Sequence, residues 1–342
     1  MQTIYGLHFL FVVIFVDSLK IIFLKLSFSI IIPVYNRPNE IDELIESLTK
    51  QDFSDDFEVL IIEDGSENSS KEIVKNYENQ LDLKYFFKEN SGAGASRNFG
   101  MQEAKGNYFI ILDSDVIVPK HYLSEVKNAL EKNFTDAFGG PDAAHESFTA
   151  TQKAINYSMT SVLTTGGIRG KKKAVGKFQP RSFNLGLSKK AFEKTNGFAD
   201  LKVGEDIDLT FRLWKNGFET QLIESAFVYH KRRSTVKQFF KQTFAFGTAR
   251  PQLNKRYPTT AKITYWFPSL FIIGFDISCI SAIFGYWQLL AFYGFYFCLI
   301  FLDSLFQNKS LQVAFLTVIT TFTQHLGYGL GFLESKFLKK NR

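Results

Sequence analysis

The sequence predicts an α/β protein whose mixed, mostly parallel sheet is flanked by helices and followed by C-terminal membrane helices. Three observations carry that reading. Short apolar runs rich in Ile and Val alternate four times with segments of helical period between residues 27 and 115, the signature of parallel strands joined by helical crossovers. The runs end in acidic or glycine-rich turns, and ligands of open α/β sheets bind beyond such strand ends. From about residue 263 the chain turns apolar and aromatic, in three stretches each near the ~20 residues that a membrane span needs.

Taken in order, Ser27–Val34 reads as a buried strand, and Tyr35-Asn36-Arg37-Pro38 as a turn with Pro38 in the first turn of a helix. Ile41, Leu44, Ile45 and Leu48 then recur at helical spacing. A second strand over Glu58–Ile62 runs into Glu63-Asp64-Gly65-Ser66, and a third lies near Leu83–Phe87. Gly92 and Gly94 open the next helix, where glycines permit close backbone approach. Tyr108–Leu112 is an uninterrupted strand-forming run, and Asp113-Ser114-Asp115 ends it. Two hard carboxylates at a strand end suit Mg²⁺ or Mn²⁺ bridging to substrate phosphates. Asp and Ser are equally at home in a plain surface turn.

Net charge is +6, with basic clusters at Lys171–Lys173, Lys231–Arg233 and Lys339–Arg342. Two of these clusters flank the apolar tail, so an anionic membrane surface is the expected partner and nucleic acid is not. The two cysteines, Cys279 and Cys298, both lie in the tail, which leaves no disulfide framework and no cysteine-rich metal site. Residues 4–16 are apolar but short for a span and lack a basic leader. They read as an amphipathic anchor or as a start assigned too far upstream.

The segments SIIIPVYNRP, VLIIEDGSENSS, NSGAGASRNFGMQEAKGNYFIILDSD and GFADLKVGEDIDLTFRLWKNGF occur in that order over about residues 27–232. Together they resemble the family 2 glycosyltransferases of the GT-A fold. The resemblance implies that Pro33, Tyr35 and Asp64 hold the nucleotide base, that Arg97 reaches the nucleotide side, and that Asp113 and Asp115 form the Asp-x-Asp pair. Asp115 is then the usual direct metal ligand, and His230 a further one, as in some relatives. It further implies that Asp206, supported by Glu205, is the general base of an inverting transfer. Carboxylates in a first helical turn also serve as simple caps.

Phe134–Gly140 reads as a strand, residues 147–162 as a helix, and Thr164–Arg181 as a polar, basic loop over the cleft. Asn184–Ser188 matches the family's acceptor-side strand, with Ser188 capping the helix that carries Phe192. Val236, Phe239, Phe240 and Phe244, interleaved with Lys237 and Lys241, suit a membrane interface. The expected organisation is a hydrophobic segment over 1–25, a catalytic domain over 26–232, an amphipathic interfacial helix and linker over 233–260, and a transmembrane region over 261–342. Asp276, Asp303 and His325 are unusual inside such a region.

The implied activity is transfer of a sugar from a nucleotide diphospho-sugar to a glycan or lipid-linked acceptor, at the cytoplasmic face of the membrane, in cell-envelope glycan synthesis. A polyprenyl-phosphate glycosyl synthase would differ only in its acceptor. A nucleotidyltransferase would share the strand-end aspartates without needing a base at Asp206. An inactive membrane scaffold of the same fold would not need its acidic positions intact.

Overall fold

The fold is that of a computed structural model describing residues 25–165 and 177–338. The N-terminal apolar run and most of the basic loop expected over the cleft therefore lie outside the described residues. The chain runs β1 (Phe28–Val34), α1 (Pro38–Thr49), β2 (Phe57–Asp64), α2 (Lys71–Lys75), β3 (Asp82–Lys88), α3 (Ala93–Glu103), β4 (Tyr108–Leu112), β5 (Val116–Ile117), α4 (Tyr122–Lys132), β6 (Ala137–Gly139) and β7 (Asp142–Ala143). It continues through α5 (Ala150–Thr160), α6 (Val162–Thr165), β8 (Asn184–Ser188), α7 (Lys189–Thr195), α8 (Glu205–Lys215), β9 (Thr220–Leu222) and β10 (Val228–His230). Four long helices close it: α9 (Val236–Arg256), α10 (Phe267–Ile283), α11 (Gln288–Asn308) and α12 (Leu311–Leu333).

Seven strands form one sheet in the order β3-β2-β1-β4-β8-β6-β9. β1 pairs in parallel with β2 on one side and β4 on the other, whereas β8 runs antiparallel to both β4 and β6. Every residue of β1 and β4 is buried, because helices cover both faces of the sheet. Each Ile or Val so placed contributes about 1.5–3 kcal/mol relative to an exposed position. The edge strand β3 is only partly buried and carries Asp82, Lys84 and Lys88, charges that discourage pairing with another chain. Strand order reverses between β1 and β4, and at such a switch point the carboxyl ends of the strands diverge and leave a crevice. A second, three-stranded sheet, β5-β10-β7, roofs that end.

The C-terminal helices depart from the expected organisation in two ways. Phe239, expected at a membrane interface, is fully buried against Ile155 and Met159 of α5. Moreover, α12 is the central helix of this region. Its Gly327 and Gly331 sit directly against the α9 backbone, where an added Cβ would lie 2.1 and 2.2 Å from α9 atoms. Its Thr320 and Thr321 meet Ser158 of α5 at 2.8 and 3.1 Å. Thr and Gly make a helix that packs closely and satisfies polar neighbours, which is why this stretch lines a protein interface.

Two helical stretches, Ile263–Ile283 and Gln288–Asn308, are long and apolar enough to cross a membrane. Ile277, Ile280, Ile283, Phe284, Trp287 and Phe292 around their connecting turn are all exposed. Asp303 is explained by its partner, the Tyr157 hydroxyl of α5. His325 is buried between Phe267 and Phe271.

This packing makes a prediction. A chain ending at Tyr257 loses α12 and exposes the apolar faces of α5 and α9, so it should aggregate. Replacing only residues 267–308 by a flexible linker of about 30 residues, whose mean reach is near 30 Å, should leave a folded protein that needs no detergent. Size-exclusion chromatography with circular dichroism compares them, and a monodisperse, folded chain ending at Tyr257 would contradict the assignment of α12 to the protein core.

Candidate active site

The reversal between β1 and β4 places two turns side by side. Asn36, in the left-handed conformation that Asn tolerates (φ 53°), accepts hydrogen bonds from Glu67 and Asn68 N–H at 2.9 and 3.1 Å. This ties the β1 turn to the β2 turn and fixes Tyr35 and Arg37 beside the strand ends. Asp64 at the end of β2 accepts from Ser91 N–H (3.0 Å), Gly92 N–H (2.8 Å) and the Lys88 ammonium. Burial opposes its charge, but these donors outweigh it and hold the carboxyl below its ordinary range. Asp64 therefore anchors the glycine segment that opens α3, where Gly92 needs its positive φ of 91°.

That segment aims Arg97 at the cleft floor. Arg97 is 3% exposed. Its Nη2 donates to Asp113 Oδ1 at 2.7 Å and its Nη1 to Glu205 Oε1 at 3.0 Å, and the guanidinium lies over the Phe198 ring at 5.2 Å. One cation thus joins the end of β4 to the first turn of α8. Glu205 is buried beside Asp206, and both effects push its pKa up against the pull of Arg97.

Asp115 faces a different set of groups. Arg37 Nη1 donates to its Oδ2 at 2.5 Å. His230 Nε2 stands 3.2 Å from its Oδ1, yet that oxygen is buried and accepts no hydrogen bond. Pairing of β10 with β5 sets His230 opposite Val116, and Phe183 stacks on the imidazole at 4.8 Å. Burial disfavours charge on both groups, and their contact outweighs it, lowering Asp115 and raising His230. Ligand atoms of Asp113, Asp115 and His230 all lie within 4.8 Å of one another. Two carboxylates and an imidazole suit Mn²⁺ and also accommodate Mg²⁺. The Asp115 oxygen without a hydrogen bond, turned toward the imidazole, is the feature that fits a cation.

The cleft holds about 230 Å³ and is lined by Pro33, Tyr35, Arg37, Asp64, Arg97, Asp113, Asp115 and Arg233. Every expected donor-side residue is there, with Tyr35 52% exposed at its rim. A larger hollow, about 440 Å³, opens at the opposite strand ends beside Glu58 and Lys105. Glu58 there is already engaged by Ser29, Lys84 and Lys105 and Asp55 by Lys127, whereas the smaller cleft lies at the carboxyl ends of the strands, where ligands of open α/β sheets bind. Of the basic cluster Lys231–Arg233, expected to face an anionic membrane surface, Arg233 lines the cleft. Lys231 pairs with Glu43 at 2.5 Å, and Arg232 is buried on Asp142 behind His230. Arg37, Asp142 and Arg232 are the residues that sequence reasoning missed. Arg37 stood in a quoted motif, but nothing in its spacing assigned it to Asp115.

Asp206 sits next to Glu205 in the first turn of α8, and Glu205 is joined through Arg97 to Asp113. Its Oδ1 accepts from Ile207 N–H at 2.8 Å, and among the described residues Oδ2 faces Arg181 Nη1 at 3.7 Å.

A mostly parallel sheet with an antiparallel β8, a switch-point cleft and a carboxylate–imidazole cluster define a GT-A fold, the fold of nucleotide-diphospho-sugar transferases. A mannosyltransferase from Pyrobaculum calidifontis, solved with GDP-Man and Mn²⁺, shares it: TM-score 0.55 at 16% identity, over 92% of this chain and 88% of that one. Residues 29–195 match the sequence model of Glycosyl transferase family 2, so the chain carries a glycosyltransferase domain of that family. The poly(ribitol-phosphate) β-N-acetylglucosaminyltransferase TarS of Staphylococcus aureus is 35% identical over 114 residues, 32% of this chain and 20% of that protein. Chondroitin synthase of Escherichia coli is 26% identical over 235 residues, 59% of this chain and 34% of that protein. The chain thus spans about a fifth to a third of the length of these relatives. Glu205, Asp206 and His230 fall beyond the matched segment, and their placement rests on the geometry above.

If Arg97 is what holds Asp113 and Glu205 together, Arg97→Gln leaves two partly buried carboxylates without their cation and should lower unfolding stability by about 2–3 kcal/mol, toward the low end for a broken buried pair. Arg37→Gln, at the solvent side, should cost clearly less. Urea denaturation of both variants measures this, and equal losses would contradict the assigned difference.

Proposed function

We propose that the protein is an inverting, metal-dependent glycosyltransferase that moves a sugar from a nucleotide diphospho-sugar to a glycan or lipid-linked acceptor in cell-envelope synthesis. The observation that carries this reading is the convergence of three candidate metal ligands at the cleft, tied through Arg97 to the helix turn that bears Asp206. Ligand atoms of Asp113, Asp115 and His230 lie within 4.8 Å of one another, and Arg97 pairs with both Asp113 and Glu205, the neighbour of Asp206.

In this reading Tyr35 and Pro33 bear on the nucleotide base, with Asp64 holding the adjoining glycine segment. Asp113, Asp115 and His230 hold Mg²⁺ or Mn²⁺, which when bound supplies positive charge to the leaving diphosphate. Arg37 and Arg233 add fixed cations on the same side of the cleft. The acceptor hydroxyl enters from the α8 side and gives its proton to Asp206 Oδ2. Its oxygen forms the new bond to the anomeric carbon while the bond to the diphosphate oxygen breaks, and the diphosphate keeps that electron pair. One displacement with one base inverts the anomeric configuration. Glu205 is a poorer base, because its carboxylate already accepts from Arg97. It holds Arg97 in place instead.

The acceptor class is carried over from relatives whose names place them on poly(ribitol phosphate) and chondroitin. The membrane reading rests on the exposed apolar hairpin of α10 and α11. Lys255, Arg256 and Lys262 precede it and Lys309 follows it, while the turn Phe284-Gly285-Tyr286-Trp287 carries no charge. Basic flanks favour the cytoplasmic side for both ends of such a hairpin, and the catalytic domain lies with those ends.

Asp206→Asn should keep nucleotide binding and reduce turnover by roughly 10²–10⁴-fold, the usual contribution of a positioned acid–base group. Glu205→Gln should lose less turnover and more stability. NMR of the product should find the anomer opposite to that of the donor. Retained configuration, or near-normal turnover in Asp206→Asn, would contradict the mechanism.

A further inference from the structure

The proposed mechanism uses one nitrogen of His230, the Nε2 that faces Asp115. The other, Nδ1, turns into the protein, toward Arg232 Nη1 at 3.3 Å and Asp142 Oδ2 at 3.8 Å. The short roof sheet brings these groups together, because parallel pairing of β10 with β7 sets Val228 opposite Asp142. Arg232 and Asp142 are cut off from water, their side chains 3% and 0% exposed. Arg232 Nη2 donates to Asp142 Oδ2. Its Nε and Nη2 also donate to Asn156 Oδ1 of α5 at 3.3 and 3.2 Å. One turn earlier on α5, Gln152 Nε2 donates to the Arg232 carbonyl at 3.0 Å. The pair is therefore pinned by α5 on one side and meets the imidazole on the other.

A buried ion pair adds little stability over apolar residues of like size, so packing alone is a weak reason for this one. Its place beside Nδ1 supplies a better reason. A neutral imidazole carries one N–H, and it binds a cation through the nitrogen that lacks the proton. A guanidinium can only donate. When Nδ1 accepts from Arg232, the ring proton is on Nε2 and points at Asp115. When Nε2 offers its lone pair to a cation, the proton is on Nδ1, and of the two neighbours there only Asp142 can accept it. Carboxylates so placed behind a ligating histidine fix the ring's tautomer and orientation and raise its basicity as a ligand.

We propose that Asp142 and Arg232 are positioning residues for His230. Asp142 accepts the Nδ1 hydrogen of the tautomer that can ligate, and Arg232, pinned by Asn156, holds the Asp142 carboxylate where the ring needs it. This rests on the reading of His230 as a metal ligand.

The test is titration of the full chain, in a non-ionic detergent, with Mn²⁺ alone, followed by electron paramagnetic resonance. The double variant Asp142→Leu with Arg232→Met removes both buried charges together, which should spare the fold, as circular dichroism checks. Its Mn²⁺ affinity should fall by roughly ten- to a hundredfold, the usual effect of losing a partner behind a ligand. Spin-echo modulation from an imidazole nitrogen should mark Mn²⁺ bound to the wild type and weaken in the double variant, a change that a merely structural pair would not produce. Wild-type affinity and an undiminished nitrogen signal in a folded double variant overturn the proposal. Asp142→Asn keeps the shape of the side chain and should lose about three- to tenfold in affinity. Should the double variant not fold, wild-type affinity in Asp142→Asn overturns the proposal instead. His230→Gln keeps the two readings apart. Loss of the nitrogen signal there, with none in the double variant, sinks only the positioning role. No nitrogen signal from the wild type, or an unchanged one in His230→Gln, removes the ligand reading and the proposal with it.

Discussion

Five carboxylates crowd one end of this sheet, and the way they are neutralised is the constraint on which the rest depends. Asp113, Asp115, Asp142, Glu205 and Asp206 come from β4, β7 and α8, elements far apart in sequence. Like charges at such range raise one another's pKa and destabilise the fold unless cations sit among them. Arg97 serves Asp113 and Glu205, Arg232 serves Asp142, and Arg37 with His230 serves Asp115. The buried cations, Arg97 and Arg232, knit elements together. Arg37 and Arg233 border the cleft, where a diphosphate would meet them.

The same arrangement couples the domain to its apolar helices. α8 carries Asp206 and also Asp208, which accepts from Arg212, Arg256 and the Tyr257 hydroxyl at 2.8 Å each. Burial opposes that charge and the three donors outweigh it, so Asp208 is held below its ordinary range. Its contribution to stability is present above the usual carboxylate pKa and is lost as the pH falls through that range. Through Arg256 and Tyr257 α8 is tied to α9, α9 to α12, and α12 to α5. Ser304 of α11 meets Thr317 of α12 at 2.8 Å, which brings the hairpin into the same body. In the proposed function this holds the base at a fixed place relative to the membrane.

Much of this was legible in the sequence. The alternation of apolar runs gave the strands of the parallel half, and Tyr108–Leu112 is a strand at the bounds expected of it. The strand-end aspartates could be read because each stands at the end of a strongly patterned strand, whereas Arg97 and the acidic first turn of α8 were expected only through the family resemblance. Partners were harder. Arg37 and Asp115 are far apart in sequence, and only the parallel pairing of β1 with β4 brings their turns together. The run Lys231–Arg233 reads as a uniform basic patch, yet alternation along an extended chain sends its members to three environments. The tail misleads for a related reason: hydropathy records that α12 is apolar, not that its Thr and Gly positions line one face against α5 and α9.

The central claim is that Asp113, Asp115 and His230 hold a divalent cation for a nucleotide diphosphate. Calorimetric titration of the full chain in detergent with UDP and with GDP, with and without Mn²⁺, tests it most directly. The account predicts that Mn²⁺ strengthens binding of one nucleotide by roughly tenfold or more, about 1.4 kcal/mol, and that Asp115→Ala abolishes this gain without unfolding the chain. Equal affinity with and without Mn²⁺ in the wild type would contradict it.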